Sequence, residues 1–334
     1  MRKLASIQVI QQLEPIPGAD AIETASVLGW KVVVKKGEFK QGQFCVYCEI
    51  DSVFPRRPEF DFLAERHYRI KTIKLRGQIS QGIVFPLDIL PETYIAKEDD
   101  DVTELLEIVK YELPERFAIG GSRGSFPGFL RKTDETRIQS IPSVLDIFNG
   151  KAYYITQKLD GTSATYYYHP EHGYGACSRN HLKDDGDNVY WNVGVKEDIE
   201  VKLKDAFEKY GRPFAIQGEI CGPNIQGNKL GLPHHKLFLF NLYDIDFGKY
   251  VNGPINDWCT VLGFTPVPLL EEGDNFDYTL AELLEKARGK YPSGKNQEGI
   301  VVRLNNEELQ CRGTAEGRPS FKVINNDFLL KDET

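Results

Sequence analysis

No stretch of this 334-residue chain is apolar for long enough to cross a bilayer, since a spanning helix needs about 20 residues. The opening Met1–Gln8 is basic but has no apolar run behind it, so a secretory leader is not expected. An intracellular, soluble protein follows, with no membrane partner. Cysteine is sparse: the six stand apart at 45, 48, 177, 221, 259 and 311. Cys45-Val46-Tyr47-Cys48 has C-x-x-C spacing, but in a strand-like run positions three apart point to opposite faces. No second pair completes a zinc site, so reduced core cysteines are expected. His234-His235 lacks an i, i+4 partner and reads as a loop or strand edge. An excess of positive charge is missing too. The net charge of −8 argues against general binding to polyanions, though not against a local basic face. The Gly/Ser/Pro stretch at Ile119–Gly128 lacks G-x-x-x-x-G-K-[ST] and is not a phosphate-binding P-loop. Internal repeats are not evident.

What is present is ordinary globular material, 41% apolar and 27% charged, at a length that suggests two domains. Residues 1–115 alternate short strand patterns with turns. The strands read as Ala5–Ile10, Trp30–Lys35, Gln43–Ile50, Ile70–Leu75 and Ile83–Pro86. Such spacing suggests a small β-barrel of the OB type. Arg66–Arg76 alternates basic and apolar residues; as a strand it would present Arg69, Lys71 and Arg76 either as a plain solvated face or as a track for a phosphate backbone. Thr103–Glu112 reads as a short helix. The domain boundary is placed at about residue 118, giving an OB-like domain over 1–118 and a second domain over 119–334. The second is α+β. Helices are expected over Glu197–Tyr210, stopped by Gly211, and from the capping box Thr279–Glu282 to Ala287. Strands are expected over Pro213–Ile220, Lys236–Ile245 and Gln297–Arg303.

The chemistry centres on Tyr153–Tyr168. Two β-branched and aromatic flanks enclose Gln157-Lys158-Leu159-Asp160-Gly161-Thr162. A lysine at a strand end, beside an aspartate and a glycine turn, can serve as a covalent nucleophile. The plainer alternative is a surface Lys–Asp pair on a hairpin, and the string alone does not separate the two.

Further strings follow in a telling order: Ser178-Arg179-Asn180, Gln217-Gly218-Glu219-Ile220, Leu237–Tyr243, Glu298-Gly299-Ile300-Val301-Val302-Arg303 and Ser320-Phe321-Lys322-Val323-Ile324-Asn325. With Lys158-Leu159-Asp160-Gly161-Thr162 they resemble the motif series of the covalent nucleotidyltransferases, a group of RNA ligases, DNA ligases and capping enzymes. An OB-like module ahead of this series, and Lys132–Gln139 before the lysine, resemble the ATP-dependent RNA ligases of the Deinococcus and Naegleria type. DNA ligases and GTP-using capping enzymes carry their OB domain after the catalytic domain, and only a short tail follows Lys322. They stay as rivals, as does an OB protein that binds nucleic acid without catalysis; Pro15–Glu23 also resembles tRNA-binding OB modules.

The resemblance implies a fold of antiparallel sheets flanked by helices, with ATP and Mg²⁺ or Mn²⁺ as cofactors. Lys158 would be the nucleophile that takes AMP. Asp160, Glu219 and Glu298 would be the metal-associated acids, and Lys322 would contact the α-phosphate. Arg137 is implied for the leaving pyrophosphate, Arg179 for sugar or phosphate and Phe240 for stacking on adenine. Gln157, where many relatives have an acid, would meet the adenine edge. Ser320 stands where many have a lysine; Arg318 or another cation would compensate. The implied substrate is a nicked RNA or RNA–DNA duplex with RNA on the 3′-OH side, for repair or processing. A monomer is favoured.

Overall fold

The computed structural model describes residues 2–111 and 121–331. They form two compact units. One takes residues 2–111 with the later pieces 139–142 and 329–331; the other takes 121–138 and 143–328. The boundary expected near residue 118 lies outside the described residues.

The first unit is built from short antiparallel strands: β1 (Ala5–Val9), β2 (Gln12–Pro15), β3 (Ile22–Val27), β4 (Trp30–Lys35), β5 (Phe44–Cys48), β6 (Ser52–Val53), β7 (Thr72–Leu75), β8 (Gln78–Gln81), β9 (Ile83–Phe85) and β10 (Val109–Lys110). They pair as β1-β5-β9, β2-β3-β4, β7-β8 and β10-β6. Alternation works as the sequence implied: in β4, Trp30, Val32 and Val34 are buried while Lys35 is exposed. These side chains join Ile7, Tyr47 and Phe60 in one core. Cys45 and Cys48 are both buried and both free. The basic strand is shorter than expected, starting at Thr72 and turning into β8 through Arg76 and Gly77, both at positive φ. The helix expected over Thr103–Glu112 is not there among its described residues. One turn forms, with Leu106 N–H on the Val102 carbonyl. Glu107 then takes a left-handed φ of 54° and Val109–Lys110 joins β6 as β10, so β-branched Ile108 and Val109 follow the sheet. Glu112 lies outside the described residues.

The second unit contains β11 (Ser122–Ser125), α1 (Val144–Phe148), β12 (Tyr153–Lys158), β13 (Thr162–His169), β14 (Gly173–Cys177), β15 (His181–Lys183), α2 (Val189–Lys196), α3 (Ile199–Tyr210), β16 (Phe214–Cys221), β17 (Lys236–Asp244), β18 (Lys249–Tyr250), α4 (Asn256–Leu262), β19 (Leu269–Gly273), α5 (Leu280–Lys286), β20 (Gly299–Leu304), β21 (Ser320–Ile324) and the first half of α6 (Asn326–Lys331). Two sheets result. The larger has the order β11-β15-β14-β13-β16-β17-β18 and the smaller β19-β12-β20-β21. Helix α3 buries Ile199, Leu203 and Ala206 and stops at left-handed Gly211, and α5 carries the expected capping box. Helix α2, capped by Asn188, has no counterpart in the sequence reading.

The decisive feature is that β12 and β13 do not pair. β12 belongs to the smaller sheet and β13 to the larger. Lys158–Gly161 is therefore a crossover between sheets and not the tip of a hairpin. Gly161 is required there for space: a Cβ would lie 2.4 Å from the Ile220 carbonyl oxygen and 2.9 Å from Glu219 Cγ.

Candidate active site

Strand register places the lysines. Lys158 pairs with Gly299, Thr156 with Val301, and Val301 in turn with Lys322. Directly opposed residues share a face, so Lys158 and Lys322 project from the same side of the smaller sheet. Gly299 permits this packing, because a Cβ there would sit 2.1 Å from the Val323 carbonyl oxygen. From the larger sheet, β16 contributes Glu219, opposite Ser163 on one side and Phe238 on the other.

At the crossover the side chains converge. Lys158 Nζ donates to Glu298 Oε2 at 2.6 Å. Asp160 Oδ2 accepts from Lys229 Nζ at 2.6 Å. Burial alone would lower the Lys158 ammonium; Glu298 and then Glu219 more than offset it and hold the pKa above the usual lysine value. Burial, with repulsion from Glu298, pushes Glu219 up to about 8 against the pull of Lys158. Asp160 rises to about 6 for the same reasons, opposed by Lys229. Lys158, Asp160, Glu219 and Glu298 thus form one electrostatic group. The sequence reading missed Lys229; no local pattern marks it, because it reaches Asp160 from a loop 69 residues away.

The remaining expected residues divide. Arg137 forms a parallel bridge with Lys322, next to a bond from the Lys322 N–H to the Thr136 carbonyl at 2.9 Å. Phe240 is the extra residue of a bulge in β17, where Gln217 pairs with Asn241 but Gly218 with Leu239. The bulge turns Phe240 away from buried Leu239 and under the Arg303 guanidinium, 5.9 Å from the ring centre. Arg179 is not in the group: it pairs with Asp134, both half exposed. Gln157 is not in it either. Alternation puts it on the face opposite Lys158, and its Nε2 donates to Gln297 Oε1 at 2.6 Å.

The Ser320 departure has a structural counterpart. Ser320 pairs directly with Arg303 and is fully buried, so a lysine at 320 would set two cations opposite each other. Arg303, not Arg318, is the cation beside it. Arg318 is bound to Glu307 at 2.9 Å and packed on Tyr250 at 3.7 Å.

Among the described residues, His169, Glu171 and His172 have metal-ligand spacing. Here, however, His169 Nδ1 accepts the Glu171 N–H at 3.1 Å, which leaves the proton on Nε2, facing Asp246 at 3.6 Å. His172 stacks on Phe129. That pattern is a bonded hairpin turn, not a vacant ligand set.

In the first unit, Arg69 is not a free track residue. It bonds Asp51 at 2.8 Å and lies 3.6 Å from the Tyr111 ring centre. Arg66, Lys71 and Lys74 line an open groove of about 490 Å³ beside it.

Comparison with known proteins gives the family of each part of the chain. A family model described as an OB-fold domain matches residues 4–87, and one described as RNA ligase matches residues 151–324. Solved structures of Naegleria gruberi RNA ligase are similar over the whole chain. A substituted form without ligand is 34% identical with a TM-score of 0.89, covering 99% of this chain and 98% of that one. The ligase with PPi has 34% identity, a TM-score of 0.87 and coverages of 100% and 99%. A substituted form with ATP and Mn has 34% identity, a TM-score of 0.87 and coverage of 98% of each chain. Among curated proteins none matches. The expected order, OB-fold first and ligase domain second, is borne out.

Proposed function

This chain belongs to the RNA ligase family, and we infer that it is an ATP-dependent RNA ligase that seals 3′-OH/5′-phosphate nicks through a lysyl–AMP on Lys158. The observation that carries the reading is the crossover itself: one lysine bonded to Glu298 and ringed by Asp160 and Glu219, projecting between two sheets.

In the first step the Lys158 amine attacks the α-phosphorus of ATP, an N–P bond forms, and the bond to pyrophosphate breaks. The amine must first lose a proton to water; Glu298, 2.6 Å away, favours the ammonium, and a cation drawing on that carboxylate would ease the loss. In the second step an oxygen of the RNA 5′-phosphate takes the AMP and Lys158 leaves as an amine. In the third, the 3′-hydroxyl attacks the 5′-phosphorus and AMP departs. Lys322, on the same face as Lys158, is assigned to the α-phosphate in these steps. Arg137 is assigned to pyrophosphate, Phe240 to the adenine ring and Arg179 to sugar or phosphate in exchange for Asp134. Gln157 is left out of the base contact expected of it, because its side chain faces away.

The donor set suits a hard divalent cation. Asp160, Glu219 and Glu298 are oxygen ligands, and the first two are held above ordinary carboxyl values as a cluster short of positive charge would be. Mg²⁺ or Mn²⁺ there would neutralise those carboxylates and so weaken the field that keeps Lys158 protonated.

The OB unit, taken to about residue 118, is assigned to the broken duplex, with RNA on the 3′-OH side. Its contact is the groove of Arg66, Lys71 and Lys74 in place of Arg69.

One experiment tests both parts. The protein is incubated with Mg²⁺ and α-labelled ATP beside Lys158→Ala and a GTP control, then given a nicked duplex. Acid-stable label on wild type alone, from ATP alone, is expected; no label on folded, AMP-free protein would overturn the reading. Lys71→Ala/Lys74→Ala is expected to label normally and to seal poorly at moderate salt. Undiminished sealing removes the groove from the account.

A further inference from the structure

Tyr291 lies in a loop that no motif covers. Its ring is buried, 2% exposed, in an apolar cluster with Leu159, Cys221 and Val267. Its hydroxyl donates to the Lys158 carbonyl at 2.8 Å and accepts the backbone N–H of Asp160 and of Glu298, each at 3.0 Å. Burial raises its pKa, so the phenol stays protonated and able to donate. One oxygen thus ties the backbone of the nucleophile to that of the two acids beside it. It also spans a gap the sheet does not close, because regular β12–β20 pairing ends at Lys158 and Gly299.

The same loop also reaches Lys229, the fifth charged group of the cluster. Ser293 Oγ donates to the Lys229 carbonyl, and Lys229 Nζ bonds Asp160. A closed circuit results, from Asp160 to Tyr291, along the chain to Ser293, across to Lys229 and back to Asp160.

We propose that Tyr291 is a positioning residue for lysine adenylylation, holding the Lys158 amine in line with the α-phosphate while it fixes Asp160 and Glu298 around it. The proposal rests on the ligase reading above. In-line attack tolerates little error, and a displacement of about 1 Å can cost about 100-fold in rate. The second and third steps make less demand on this anchor. In the second the N–P bond itself holds the nitrogen, and in the third the lysine does not attack.

Tyr291→Phe keeps the ring and removes only the hydroxyl. At saturating ATP its single-turnover formation of lysyl–AMP is expected to fall at least about 30-fold, with the KM for ATP within about 3-fold of wild type. Sealing of RNA that already carries 5′-AMP is expected to fall far less. Label forming at the wild-type rate would overturn the proposal, as would parallel loss in every step tracking the fraction folded in a melting curve. If Tyr291→Phe does not fold, Ser293→Ala slackens the same circuit from its other end. It is expected to slow only the first step, and an unaltered first step there overturns the proposal equally. Absence of label on wild type, or label on Lys158→Ala, sinks the ligase reading, whereas label on wild type and on Tyr291→Phe at one rate sinks only the role of Tyr291.

Discussion

The ligase unit holds two clusters of partly or fully buried charge, and they are built on opposite plans. The first, behind Phe240, contains Arg303, Arg318, Glu135 and Glu307. Arg303 bonds Glu135 at 3.1 Å, and Arg318 holds Glu307 through two nitrogens at 2.9 and 3.2 Å. Two cations meet two carboxylates, every member is at most 8% exposed, and Asn241 and Tyr250 add polar and ring contacts to Arg318. The second cluster, at Lys158, sets three carboxyl groups against two lysines. Two of the three carboxyls are held above their ordinary values. A network complete in charge holds the chain together, although among the described residues Glu135 Oε2 and Arg303 Nε and Nη1 find no hydrogen-bond partner in it; one incomplete in charge is ready for a cation that completes it. The motif order alone does not draw this distinction, since Arg303 and Glu298 belong to one motif.

The comparison breaks most visibly if the incomplete cluster proves dispensable. Glu219→Gln keeps the shape of the side chain and removes the charge the metal and Lys158 would use. Transfer of label from ATP to Lys158 is expected to fall about 1,000-fold, while the ligand-free protein melts no lower than wild type at pH 8. Labelling within tenfold of wild type would show that Glu219 is no more a site residue than Glu135.

The converse test removes one member of the complete network. Glu135→Gln leaves Arg303 and Arg318 short of a charge in a buried site. The expected loss of stability is about 3 kcal/mol, read as a lower urea midpoint at unchanged slope. Lysyl–AMP formation is expected to persist at temperatures where the variant is folded. Stability equal to wild type would show that the network is not structural and that its completeness carries no meaning.

Much of this was legible in the sequence. Lys158, Glu219 and Lys322 lie in strands, and Glu298 directly precedes one, so their places follow from motif order and strand period. The capping box at Thr279 and the stop at Gly211 rest on local chemistry and held to the residue. What escaped depends on contacts distant in sequence. Strand patterns at Tyr153 and Tyr166 do not say that the two strands join different sheets. Lys229, Tyr291 and Glu135 reach the site or its support from loops with no period to mark them. Gln157 stands apart from Lys158 although it adjoins it in sequence, because neighbours in a strand face apart, and its amide bonds Gln297. Arg69 looked free because the basic alternation around it is real, while Asp51 and Tyr111, which occupy it, come from elsewhere in the first unit.

The smallest expected effect sharpens the comparison through pH. Glu219 has an ordinary value of 4.5 and sits at about 8 when folded; Asp160 moves from 3.8 to about 6. Between those values the native protein keeps protons that the unfolded chain has released. Stability of the metal-free, nucleotide-free protein should therefore be fullest below the unfolded values and fall as pH rises through them toward 8, then level off. The slope is bounded by about 1.4 kcal/mol per pH unit for each group, and partial exposure of the site reduces it to about 1 or less. Urea midpoints at pH 5, 6, 7 and 8 measure it. Glu219→Gln should flatten the upper part of the curve, between about pH 6 and 8, because Asp160 has released its proton by then. Glu135→Gln should shift the whole curve down without changing its shape, since the complete network is not the source of the slope. A wild-type curve that rises over this window would mean that the carboxylates at Lys158 are already matched by positive charge, and that the two clusters differ in position but not in kind.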